Sequence, residues 1–190
     1  MDGFYKTYFD IFETIDESLK KGKIVPCLIL IYSAIDSFSF LAEKTDRKGR
    51  SVFKEWVKKW MLEKYPLPCN ENDIYAARCG LLHQQISESD LSNSGESREI
   101  YYSWGNSNIE RLEYAIANTN KKDSVVAVRV EYLLESFRNG LVDCKIEIEK
   151  NEKWAAIFEE KSNKLGLLCY DNQFIRQKFH NPAQTPATTL

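Results

Sequence analysis

The sequence predicts a mainly α-helical bundle with additional C-terminal helices and a short β element. Three observations carry that class. Apolar residues recur at helical spacing in four successive segments of the first half. Short connections, marked by Gly22, by Gly49 and by Pro66 and Pro68, separate those segments as they do in antiparallel bundles. The second segment is apolar nearly all round, as befits a helix surrounded by others. With 190 residues, 43% of them hydrophobic, the chain suits one domain with a sizeable core, here placed over 1–170.

The first helix runs from about Phe4 to Lys21, with Phe4, Tyr8, Ile11, Ile15 and Leu19 on one side and Gly22 as its stop. The second covers about Ile24 to Lys44, with Pro26 tolerated in its first turn. Its apolar run ends at Ala34 and Asp36 soon follows. That is short of the roughly 20 residues a membrane span needs, so the run reads as a buried helix and no membrane association is expected. Phe53, Trp56, Val57, Trp60 and Met61 define a third, amphipathic helix. A fourth starts near Asp73, read as its N-cap, and continues to about Ile86. Ser87 to Ser97 is polar and reads as a loop, and Glu99 to Trp104 (EIYYSW) favours a short strand. Ile109 to Ala117 is ambiguous between helix and strand. A long helix is expected from Asp123 or Ser124 past Phe137, continuing beyond Gly140 or ending there, and a last one over about Glu152 to Lys164. The stretch 171–190 reads as a flexible tail, its end (NPAQTPATTL) lacking any apolar pattern.

Composition narrows the functional classes. The N-terminus has no basic region followed by an apolar stretch, so no signal peptide is visible. Cys27, Cys69, Cys79, Cys144 and Cys169 are odd in number and contain no Cys-x-x-Cys, which suits reduced thiols and a cytoplasmic location. Two histidines make a histidine-rich metal centre improbable, and neither a metal nor another cofactor is expected. No phosphate-loop pattern supports nucleoside-triphosphate hydrolysis, and no nucleophile triad is visible. The net charge of −2 does not draw the whole molecule to nucleic acid. Locally, however, eight Lys/Arg residues lie between Lys44 and Lys64 against three carboxylates. Arg47, Lys48 and Arg50 in this stretch are candidate phosphate contacts, with a solvated helix face as the alternative. Trp56, Trp60, Tyr101 and Tyr102 have rings that could stack on bases, although their spacing reads as core.

The fourth helix holds the strongest candidate chemistry. Ile74, Tyr75, Leu81, Leu82 and Ile86 form an apolar arc, and Arg78 falls within it. A guanidinium in such a position needs a partner. Asp36, the one carboxylate between Ile24 and Ala42, is the partner available in the bundle. His83 lies on another side, next to Ala76 and Gly80, whose small side chains would admit another backbone. Residues five apart differ by about 140° around a regular helix, so Arg78 and His83 share no face. They meet only if the helix is irregular near Gly80 or if the site is reached from both sides. The alternative is an internal Asp36–Arg78 ion pair with no chemistry attached.

The run from Asp73 to His83, with its Arg-x4-His spacing, resembles the Arg-x4–6-His motif of HEPN domains, and Asp36 matches a polar residue these domains commonly carry on their second helix. The stretch containing Arg50, Phe53, Trp56 and Val57 also looks like that of bacterial members. The resemblance covers about Phe4 to Ile86, making 98–164 an elaboration, and departs from many catalytic members in placing Cys79 directly after the arginine. It implies a HEPN-like bundle and metal-independent RNA cleavage in a cleft shared by two copies of the chain. Arg78 and His83 would be catalytic and Asp36 supportive. Such an enzyme would be a toxin or defence ribonuclease, with RNA, a second copy and a cognate antitoxin as partners. A non-catalytic helical interaction module with the same fold is the alternative.

Overall fold

The computed structural model describes residues 2–84 and 89–164. α1 (Asp2–Lys20) buries Phe4, Tyr8 and Ile15. Gly22 ends it in the left-handed region at φ 67°, donating to Leu19 O, while Lys23 donates to Ser18 O. This pair of bonds is the usual glycine-dependent helix stop. α2 (Ile24–Ala42) then passes through the middle of the molecule against α1, α3, α4, α7 and α8. By length and composition it could cross a membrane, and half of that stretch is buried within this fold.

α3 (Arg50–Trp56) continues into a π-helical segment, Val57–Leu62, which Glu63 N closes onto Lys58 O. α4 (Glu71–Gln84) is capped by Asn70 rather than Asp73. The Asn70 side chain accepts from Asn72 N and Asp73 N, and Asp73 Oδ2 accepts from Asn70 N in return. This reciprocal arrangement moves the helix start three residues ahead of the expected one. The polar stretch after it holds a one-turn helix, α5 (Asp90–Asn93), closed by Ser89 and Ser92.

β1 (Glu99–Ser103) pairs in parallel with β2 (Val125–Arg129), with Ile100 opposite Val126. α6 (Ile109–Ala117) is the crossover that parallel pairing requires. It covers one sheet face with Ile109, Leu112 and Ile116 against Val125 and Ala127, while Ile100, Val126 and Val128 enter the main core. The expected long helix includes residues 125–129; of these, 125–128 are buried on both faces, show no alternation and read instead as a continuous apolar run. The long helix, α7 (Val130–Glu149), begins only after them and passes through Gly140. α8 (Glu152–Ser162) completes the bundle.

The architecture is thus mainly α, with one small parallel sheet. One core runs through it, from Phe4 and Phe38 to Phe137 and Phe158. α7 and α8 are walls of this core, in the same packing as α1–α4. The expected tail, 171–190, and the expected end of the fourth helix at Ile86 lie outside the described residues.

Candidate functional site

α2 and α4 pack together and bring Asp36 to Arg78, with Arg78 Nη2 2.6 Å from Asp36 Oδ2. The pair is not sealed: the Arg78 side chain is 18% exposed and that of Asp36 is 40% exposed. Partial burial works against the Arg78 charge. The hydrogen bond and charge of Asp36, with Cys79 beside them, outweigh it and raise the guanidinium above its ordinary range. Arg78 Nη1 lies 3.9 Å from Cys79 Sγ. At any working pH this cation is permanent, as an anion-holding group must be.

The pair opens into a groove of about 280 Å³ whose other walls include Lys48, Gly49 and Tyr75. Tyr75 stands against Phe53 on α3, ring centroids 5.5 Å apart, and Arg50 lies 5.6 Å from its ring. The three basic residues expected to contact phosphate are placed differently from one another. Lys48 lines the groove, its Nζ 5.8 Å from the Phe40 ring. Arg50 pairs with Glu96 at 3.1 Å. Arg47 is held by two carboxylates, Glu43 at 2.8 Å and Glu55 at 2.9 Å.

His83 belongs to α4, and its side chain lies outside what the structure describes. α4 is uninterrupted α-helix from Glu71 to Gln84, so no irregularity near Gly80 draws positions 78 and 83 together. They remain about 140° apart around the axis. Ala76 and Gly80, expected to admit a neighbouring backbone, are both buried within the chain. Trp56 and Trp60 are 5% and 6% exposed, and Tyr102 is hydrogen bonded to Tyr32 between α2 and β1.

Two polar centres escaped sequence reasoning. The Asp73 side chain, 1% exposed, takes Arg98 N at 2.7 Å on Oδ1 and Arg98 Nη2 at 2.7 Å on Oδ2, joining the start of α4 to the approach to β1. Lys161 Nζ donates to Phe40 O, Glu43 O and Thr45 O, closing the C-terminal end of α2 from α8. Neither leaves a local signal, because each partner is distant in sequence. Among the described residues no three His, Cys, Asp or Glu side chains gather where they could share a metal ion.

Comparison with known proteins finds no family model, no curated protein and no solved structure that matches this chain.

Proposed function

We propose that the chain is a metal-independent endoribonuclease of the HEPN type, working as a homodimer. The observation that carries this reading is the half-open Arg78–Asp36 pair. It is a permanent cation fixed by a carboxylate, facing a groove that also holds Lys48, on the helix that carries His83. Arg78 would bind the non-bridging oxygens of a phosphodiester and stabilise their growing charge. Asp36 would orient Arg78. Histidine has a reference pKa near 6.5, so His83 can accept the 2′-hydroxyl proton or protonate the leaving oxygen at neutral pH. Attack of the 2′-oxygen on phosphorus breaks the bond to the 5′-oxygen, which leaves with a proton. The products are a 2′,3′-cyclic phosphate and a 5′-hydroxyl. The unbroken geometry of α4 favours a site completed across two chains, since one chain does not place positions 78 and 83 on a common face.

The test is cleavage of labelled total RNA and tRNA in EDTA, with wild type compared to His83→Ala and Arg78→Ala. Wild type should leave cyclic-phosphate ends. Loss of the acid–base group should cost about 10²–10⁴-fold in rate, and loss of the charge-stabilising one about 10²–10³-fold. If a folded dimer cleaves nothing, the enzyme reading is wrong.

The second reading, a non-catalytic interaction module, is favoured by the same ion pair taken as a strut between two core helices. On that reading Asp36→Ala and Arg78→Ala lower the melting temperature, while His83→Ala changes neither stability nor any effect of the chain on cell growth.

A further inference from the structure

A second depression, of about 310 Å³, adjoins the Arg78 groove, and Ser39 and Val52 line both. The edges of the nearly buried Trp56, Trp60 and Trp154 line it together with Glu43 and Glu55, and Lys44, Arg47 and Lys59 stand around it. Its volume falls in the range of small-ligand sites, about 300–1,000 Å³. The three cations differ in how far their charge is matched. Arg47 is bound by Glu43 and Glu55. Lys44 Nζ lies 4.0 Å from the Trp154 ring centroid and Lys59 Nζ 4.8 Å from that of Trp60. Neither lysine makes an ion pair among the described residues. An ammonium resting on an indole keeps its full charge and its capacity for an anion, since the ring supplies only a modest attraction. Two cations unmatched by a carboxylate suit phosphates at the rim, with the sugar resting against the indole edges between them.

We propose that this depression is a subsite for single-stranded RNA, holding the nucleotide next to the one at Arg78, with Lys44 and Lys59 on its phosphates and the Trp60 and Trp154 edges beneath it. The assignment rests on the ribonuclease reading of the adjoining groove. It names the part of that site that grips the strand without acting on the scissile bond. Arg47 is not one of the gripping cations; it braces the loop that forms one wall.

The test uses a fluorescein-labelled oligoribonucleotide with 2′-O-methyl groups throughout, which lacks the attacking hydroxyl and cannot be cleaved. Affinity is measured over a range of salt concentrations for wild type, Lys44→Gln, Lys59→Gln and the double variant. Each lysine that contacts a phosphate contributes about 0.7 to the slope of log K against log salt on a single strand. The double variant should therefore flatten the slope by about 1.4 and weaken binding several-fold at moderate salt. On cleavable RNA the loss should appear in KM rather than kcat. In a Trp104→Phe background, saturating probe should also quench the remaining tryptophan emission. Unchanged slope and affinity in the double variant would overturn the subsite, and so would a wild type that binds no RNA. If wild type cleaves RNA but the double variant binds as well as wild type, the subsite fails while the ribonuclease reading stands. If binding depends on the two lysines but nothing is cleaved, the subsite stands and the ribonuclease reading fails.

Discussion

Asp73 and Asp36 each face an arginine, but their surroundings set them apart. Asp73 is sealed, and its two oxygens satisfy both the Arg98 side chain and two backbone N–H groups. Asp73→Ala leaves the Asn70 and Arg98 backbone N–H groups without their acceptor, while water can still reach the Arg98 guanidinium, and should destabilise the fold by about 2–4 kcal/mol, read from urea unfolding. Asp36→Ala, on a half-exposed pair, should cost much less. Glu43 offers a pH test. Burial alone would raise its pKa, but hydrogen bonds from Thr45 and Arg47 outweigh burial and hold the carboxyl below its ordinary 4.5. Its contribution to stability is complete above about pH 4.5 and is lost as the pH falls through the lowered value. Urea midpoints should therefore drop less steeply on acidification in Glu43→Gln than in wild type. The Arg78 partner was legible because α2 offers one carboxylate in a long apolar run. The Arg98 partner was not, because Arg98 sits in an aperiodic connection where spacing carries no information.

At the level of elements, glycine and valine each carried a double meaning. Gly140 does not stop α7. A Cβ there would lie 2.6 Å from Trp60 O and 3.0 Å from Trp60 C, so its role is to let α7 approach the π-helical backbone. Alanine in a helix gains about 1 kcal/mol over glycine, but this clash is with main chain that cannot swing aside. Gly140→Ala should lower stability by about 1–2 kcal/mol net, seen as a reduced melting temperature. Lys161→Met should cost about 2–3 kcal/mol by leaving the Glu43 and Thr45 carbonyls, just past α2, without their donor, while Phe40 O keeps the Glu43 N–H. α1 and the α3 segment were legible because their apolar period is 3.6 residues and Gly22, Pro66 and Pro68 follow them, and α2 because it is apolar nearly all round. β2 was not. Its residues face the bundle on one side and α6 on the other, and this erases the alternation by which a strand is recognised.

Across the whole molecule, the core draws α7 and α8 between the helices that precede them. Phe137 lies 5.6 Å from Phe12 and 6.0 Å from Trp56, ring to ring. A fragment of residues 1–86 would expose these surfaces and should lack the cooperative unfolding transition of the full chain, whatever helical circular dichroism it retains. The core also fixes behaviour in alkali. Burial pushes the phenols of Tyr8, Tyr32 and Tyr102 well above the ordinary 10.0. The stability they confer is full below about pH 10 and is lost as pH rises toward their raised values. Their ionisation, followed by ultraviolet absorbance, should come with unfolding rather than before it.

Cys79 stands next in the chain to the arginine of the groove, and it differs from its counterparts in the core. Burial raises the thiols of Cys27, Cys69 and Cys144 to about 11, about 12 and about 12. Cys79 is only partly covered. In a Cys169→Ser background, a disulfide reagent offered to the native protein should therefore modify one sulfur rapidly and reach the others only through opening of the fold. The rate of that single reaction becomes a clock for access to Arg78. Anything that occupies the groove, whether an oligonucleotide or a second chain, should slow it, and the concentration that halves the rate gives the occupant's affinity without any assay of activity.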